Sequence, residues 1–201
     1  IDPVRFIGNH SSGLMGIEVA RAFADQGADV TLVLGPSNIS PNRKNINLIP
    51  VTSAKEMYDA VMAFFPKTDI AVLSAAVADF RPEMVAEQKI KKNPDNDTFT
   101  IKLVKTEDIL KSVGKIKSEN QTVVGFALET ENGLENAKKK LHTKNIDLIV
   151  LNEMNESGVG FKTKTNKITI INRDDQVTSF DLKQKNEVAV DILNAIYQYI
   201  N

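Results

Sequence analysis

Four stretches of this 201-residue sequence gather residue types that do chemistry. Gly8-Asn9-His10-Ser11-Ser12-Gly13-Leu14-Met15-Gly16 is small and polar and leads into a helical pattern, the arrangement by which backbone N–H groups and a helix N-terminus meet a phosphate. A helix start capped by Ser would look the same, so the spacing alone leaves both open. His10 by itself reads more readily as a hydrogen-bonded loop residue than as a catalyst. Ser74-Ala75-Ala76-Val77-Ala78-Asp79-Phe80-Arg81-Pro82 follows the most apolar run of the chain, and its small residues let a ligand approach the backbone. Asp79 can accept hydrogen bonds from a substrate amide or hydroxyl or help hold a divalent cation; equally, it can be a turn carboxylate paired with Arg81. Lys89-Ile90-Lys91-Lys92 sets three cations within four residues, and Lys138-Lys139-Lys140 with Lys144 forms a second group. Lys140 and Lys144 are i,i+4 neighbours that can reach one anion, although a run of charge is also an ordinary solvated face. Phe126 can pack a nucleobase and Asn152 can read its polar edge, against the plainer alternatives of a core Phe and a turn Asn.

Composition narrows the partners. Twenty-five Lys and Arg against 26 Asp and Glu give a net charge of −1, so the two basic clusters suit a polyphosphate better than a nucleic-acid duplex. Aromatic residues are not interleaved with the lysines, as single-strand binding would need. With no Cys there is no disulfide, thiolate zinc site or Cys nucleophile, and two His do not build a metal centre alone. Reduced cytoplasm is the expected compartment. No apolar run approaches the roughly 20 residues that span a bilayer, so no membrane partner is expected. Ile1 followed by Asp2-Pro3 suggests a sequence that begins partway into a longer chain.

The elements that must position these residues alternate. Residues 5–8 read as a short extended stretch, and a helical pattern through Met15, Val19, Ala20 and Phe23 stops at Gly27. Strands follow at 28–34 and 46–51, and a capping box Ser53-Ala54-Lys55-Glu56 opens a helix that ends before Pro66. Residues 70–76, nearly all apolar, predict a parallel strand covered on both faces. A strand at 99–104 precedes a helix with Glu107 and Asp108 in its first turn. A strand at 123–128, a Lys-rich helix begun by Asn132 and Glu135, and a strand at 146–151 continue the alternation. Residues 167–171 and 177–182 read as a hairpin about Asp174-Asp175, and 187–200 as a closing amphipathic helix. The fold class is therefore α/β: a Rossmann-like, doubly wound, mostly parallel sheet with a C-terminal β-hairpin and closing helix, in one domain over 1–201.

In combination these stretches resemble the phosphopantothenoylcysteine synthetase family, the phosphopantothenate–cysteine ligases of coenzyme A biosynthesis. The resemblance covers nearly the whole chain: Asp2-Pro3-Val4-Arg5, Asn9-His10-Ser11-Ser12-Gly13, Ala75-Ala76-Val77-Ala78-Asp79-Phe80-Arg81, Lys89-Ile90-Lys91-Lys92, Val124-Gly125-Phe126 with Glu129-Thr130, and Asn152 followed by Gly160-Phe161. It implies attack of the 4′-phosphopantothenate carboxylate on the α-phosphate of a nucleoside triphosphate, then capture of the acyl-nucleotide by the amine of cysteine. Fixed cations, N–H donors and Mg²⁺ would meet the phosphate charge.

Carried over position by position, the resemblance puts Ser11, Gly13 and Gly16 along the triphosphate and Asn9 at the acyl group. Ala75, Ala76 and Asp79 match the stretch that contacts substrate and nucleotide. Lys89 matches a lysine needed for turnover, Lys140 and Lys144 match triphosphate contacts, and Phe126 and Asn152 sit at the nucleotide. The bacterial-type lysine pattern implies CTP as co-substrate, and the family implies a homodimer whose site is completed across the interface, with the hairpin as a partner surface. Two departures stand out. The family normally has a strand and a Gly-rich loop just before Asp2-Pro3-Val4-Arg5, and Leu14 stands where a basic residue is common. A nicotinamide-dependent reductase shares the fold class, but Gly-x-Gly-x-x-Gly is absent and the strand ending Leu32-Val33-Leu34-Gly35-Pro36 carries no acidic residue for a ribose. A noncatalytic nucleotide-binding module is the other alternative.

Overall fold

The computed structural model describes residues 1–91, 98–129, 131–153 and 164–201. Helix α1 (Leu14–Asp25) starts at Gly13, whose φ of 75° is left-handed and suits glycine. It buries Ile17, Val19, Ala20, Phe23 and Ala24. The chain then forms β1 (Val30–Leu34), which pairs in parallel with β2 (Ile46–Pro50). Helix α2 (Ala54–Phe64) carries the expected capping box: Ser53 accepts the Glu56 N–H, and Glu56 reaches back to the Ser53 N–H. Such a cap contributes about 1 kcal/mol.

Three parallel strands form the centre: β3 (Ile70–Leu73), β6 (Thr122–Glu129) and β7 (Leu148–Glu153). Between β3 and β6 lie an antiparallel pair, β4 (Phe80–Pro82) with β5 (Leu103–Lys105), and helix α3 (Ile109–Ile116). Helix α4 (Gly133–Thr143) connects β6 to β7. The sheet is extended by β9 (Ile168–Asn172), antiparallel to β7, and β10 (Val177–Ser179), antiparallel to β9, in the order β10-β9-β7-β6-β3. A small pair, β8 (Thr165–Asn166) with β11 (Lys183–Gln184), leads into α5 (Lys185–Ile200).

Alternation along the strands explains the two layers. Val124, Leu148, Val150, Ile168 and Ile170 face one side and pack on α1 and α5 through Val19, Phe23, Val188 and Ile192. Val123, Ala127, Ile149, Leu151 and Ile171 face the other and pack on α3 and α4 through Leu110, Val113, Ala137 and Leu141. A two-residue period sorts one set of strands between two helical layers, which is the doubly wound arrangement expected.

Residues 5–8 are an exposed arm outside the sheets. Several local expectations differ. The stretch 99–104 contributes only Leu103–Lys105 to pairing, and its partner is β4 rather than the central sheet. Asp108 is the N-cap of α3 and not part of its first turn: its side chain accepts the Lys111 N–H. Asn132 precedes α4 at a φ of 52° without a side-chain cap. Most telling, β3 is half-buried at every residue although its composition fits two-sided burial. Among the described residues β3 pairs only with β6 and β1 only with β2.

Candidate functional site

A cavity of about 1560 Å³ opens at the carboxyl ends of β1 and β3 and continues down between those two strands. This is where parallel α/β sheets bind ligands. The arm from Asn9 through Ser11 to Gly13 forms part of its rim, and Gly16 lies in the first turn of α1 below it. A Cβ on Gly13 would come to 3.0 Å from Leu34 Cδ1, which would have to give by a few tenths of an ångström, so the left-handed φ is the main reason for glycine here. Asn9 Nδ2 donates to Val77 O at 3.2 Å, which fixes the arm beside the small-residue bend after β3. Ala75, Ala76 and Asp79 on that bend also line the cavity. The Asp79 carboxylate has no hydrogen bond or ion pair among the described residues, including none to Arg81; its backbone carbonyl accepts the Thr106 N–H at 2.9 Å.

The second cationic cluster reaches the cavity from the far side. Lys140 and Lys144, at the C-terminal end of α4, both line it, as do Phe126 on β6 and Asn152 on β7. Lys140 Nζ donates to Phe126 O at 2.8 Å. Burial, and then the neighbouring Lys144 charge, hold the Lys140 ammonium below the usual lysine range. Lys144 is ion-paired to Asp108. The lysine lowers the Asp108 pKa against the opposing effect of burial. Asn152 Oδ1 accepts from Asn166 Nδ2 at 2.9 Å, which orients the amide at the cavity wall.

Sequence reading brought most of these positions forward, but not all. Thr106, Glu107 and Asp108, on the turn between β5 and α3, also line the cavity; the sequence marks Glu107 and Asp108 only as a helix start and does not single out Thr106. Buried Lys185 at the head of α5 also lines the cavity, and burial lowers its pKa. A lysine opening an amphipathic helix carries no local sign of burial. Conversely, Lys89 is exposed and does not line the cavity, so one protomer does not bring it together with Lys140 and Lys144. Lys92, Thr130, Gly160 and Phe161 lie outside the described residues.

The arrangement is suited to a chain of phosphates: a helix N-terminus opened by a left-handed glycine on one side, two lysines on the other, and a flanking aromatic residue. Over residues 1–200 the sequence matches the family described as DNA/pantothenate metabolism flavoprotein, C-terminal domain. The chain belongs to this family. A protein named cysteine/cysteine sulfinic acid decarboxylase, from an unknown prokaryotic organism, is 49% identical over 201 residues, covering 100% of this chain and 55% of that protein. The coenzyme A biosynthesis bifunctional protein CoaBC of Vibrio cholerae serotype O1 is 44% identical over 198 residues, 98% of this chain and 49% of that protein. The crystal structure of the C-terminal domain of a CoaBC protein matches with a TM-score of 0.80 at 38% identity, covering 98% of this chain and 89% of the other. The chain thus spans about half the length of the curated relatives it matches.

Membership of the flavoprotein C-terminal domain family accounts for the Rossmann-like layering. Among the described residues no three His, Asp or Glu side chains gather to hold a metal ion, and no helix is long and apolar enough to cross a membrane.

Proposed function

We propose that this chain joins 4′-phosphopantothenate to L-cysteine at the expense of a nucleoside triphosphate, with CTP as the co-substrate. The observation that carries the proposal is the convergence of the Asn9–Gly13 arm, the Ala75–Asp79 bend and the Lys140–Lys144 pair on one cavity. A carboxylate is a poor acyl donor, so amide formation needs activation. A phosphopantothenate carboxylate oxygen attacks the α-phosphorus, the bond to the β-phosphate breaks, and pyrophosphate departs from an acyl-cytidylate. The uncharged cysteine amine then attacks the acyl carbon, CMP leaves, and the amine's surplus proton passes to solvent.

In this scheme the N–H groups opening α1 and the Lys140 and Lys144 ammonium groups hold the triphosphate and take up charge as pyrophosphate forms. Ser11, Gly13 and Gly16 shape the phosphate side. Asn9 presents its amide to the acyl group, and Ala75 and Ala76 allow the substrate to lie against the backbone. Phe126 and Asn152 flank the nucleotide. Mg²⁺ fits as an ion carried by the triphosphate with at most Asp79 from the protein, because it commonly binds through one or two carboxylates plus phosphates. When bound it would neutralise phosphate charge.

Lys89 reaches the chemistry only if a second copy completes the site. The surface beside it supports such a pairing: Phe6 is 85% exposed, Met84 83% and Val85 67%. Exposed apolar residues of this kind suit an interface. They lie on the arm and the segment after β4, and the hairpin side also exposes Val177 and Leu182, so we assign the homodimer contact to these two surfaces.

The test mixes the protein with CTP, Mg²⁺ and 4′-phosphopantothenate. Pyrophosphate release is expected without cysteine, and CMP release only when cysteine is added. A noncatalytic module gives neither. A reductase gives tight dinucleotide binding instead, and release of CO₂ from cysteine without CTP consumption would overturn the ligase assignment. Sedimentation of the same sample reads the dimer.

A further inference from the structure

The arm that carries Asn9 and the segment that carries Lys89 are joined by one buried carboxylate. The Asp2 side chain has 0% exposed surface, although its partner Arg5 is 45% exposed. Asp2 Oδ1 accepts the Val4 and Arg5 backbone N–H groups, each at 2.9 Å, which closes a local turn. Oδ2 accepts Arg5 Nε at 3.0 Å and Nη2 at 2.5 Å, and also the N–H of Ile90 at 3.1 Å. Arg5 Nη2 in turn donates to the carbonyl of the same Ile90 at 3.1 Å. Both backbone polar groups of a residue far along the chain are thus held by one ion pair. Ala86 N–H donates to Ile1 O at 3.0 Å and adds to the same junction. At its other end the arm is tied by Asn9 to Val77 O.

A turn needs only Oδ1 of the aspartate. Committing Oδ2 and a forked guanidinium to the N–H and the C=O of one remote residue fixes the two peptide groups that flank it, which a single hydrogen bond would not do. The residue immediately before Ile90 is Lys89. We infer that Asp2 and Arg5 are positioning residues for Lys89, locking the backbone of Ile90 to the arm so that the lysine is presented from a fixed base to the site that a second copy completes. The inference rests on the role proposed above for Lys89.

The experiment compares Asp2→Asn, Lys89→Gln and the double variant in steady-state ligase assays. Asp2→Asn is expected to lower kcat about tenfold, the scale of a small misplacement of a reacting group, while KM for CTP stays within about twofold. In the double variant the loss should not exceed that of Lys89→Gln alone, because groups acting through one another are not additive. Multiplying losses, or a rise in KM alone, would show a general structural role and overturn the inference. Arg5→Lys keeps the charge but loses the fork, and it supplies the same comparison if Asp2→Asn folds poorly. Exchange of the Ile90 amide reads the junction without any activity: it should quicken about tenfold or more in Asp2→Asn, and unchanged exchange overturns the inference. Full turnover in Lys89→Gln also overturns it, by removing the proposed role of Lys89, and the exchange result tells that failure from a failure of the junction.

Discussion

At the scale of the residue, Lys140 sets the most specific expectation. Burial, and then the neighbouring Lys144 charge, disfavour its charged form, so it sheds its proton more readily than an ordinary lysine. A phosphate ligand needs that proton. Affinity for CTP should therefore decline as pH rises through the alkaline range, earlier than an ordinary lysine would dictate and by up to about tenfold per pH unit once the lysine titrates. Lys140→Arg should hold its affinity to higher pH, because guanidinium stays charged. Calorimetric titration of CTP across alkaline pH checks both, and coincident profiles would remove Lys140 from the anion site. Asn9 makes a complementary case. It is exposed, so Asn9→Asp should change the melting temperature little. A carboxylate there would repel the acyl-phosphate, and loss of the amide donor should reduce turnover by about 10²–10³ in a pyrophosphate-release assay.

At the scale of the element, the end of the sheet opposite the cavity is held by a buried charge cluster. Lys117, which caps the end of α3, is ion-paired with Asp147 just before β7, and their side chains are 7% and 5% exposed. Asp147 Oδ2 also accepts the Val123 N–H of β6 at 2.8 Å. Removing one partner of such a pair leaves a buried charge, so Asp147→Ala should cost about 3–5 kcal/mol. CTP affinity measured below the melting transition should remain close to that of the parent, because these groups do not line the cavity. Reduced affinity would mean that α3 transmits the change to Asp108. The contrast also shows what local pattern can convey. The α2 capping box, the stop at Gly27 and the i,i+4 lysines each depend on neighbours within one helical turn, and all were legible. The β4–β5 pairing, the Asp108–Lys144 ion pair and the burial of Lys185 depend on residues distant in sequence. Nothing in their own segments encodes them.

At the scale of the whole molecule, the unequal burial of the strands predicts unequal stability. In β6 the residues from Thr122 to Gly125 are buried and the strand is paired on both sides, by β3 and β7. In β1 and β3 no residue is fully buried, each strand has one partner among the described residues, and both strands line the cavity. Backbone N–H groups on alternate residues of a parallel strand point to opposite edges. About half the amides in β1 and β3 should therefore exchange with solvent at rates close to those of an open chain, while β6 amides exchange only through global unfolding. Residue-resolved hydrogen exchange checks this directly. Protection in β1 and β3 equal to that in β6 would show that backbone pairing closes the cleft in solution, and the cavity would then stop at the carboxyl ends of the strands. The expected split instead leaves the anion site standing on a firm wall formed by β6, β7 and α4 and a looser one formed by β1, α1 and the arm. Binding a polyphosphate between them should slow exchange chiefly on the looser side, since only that side has local openings to suppress.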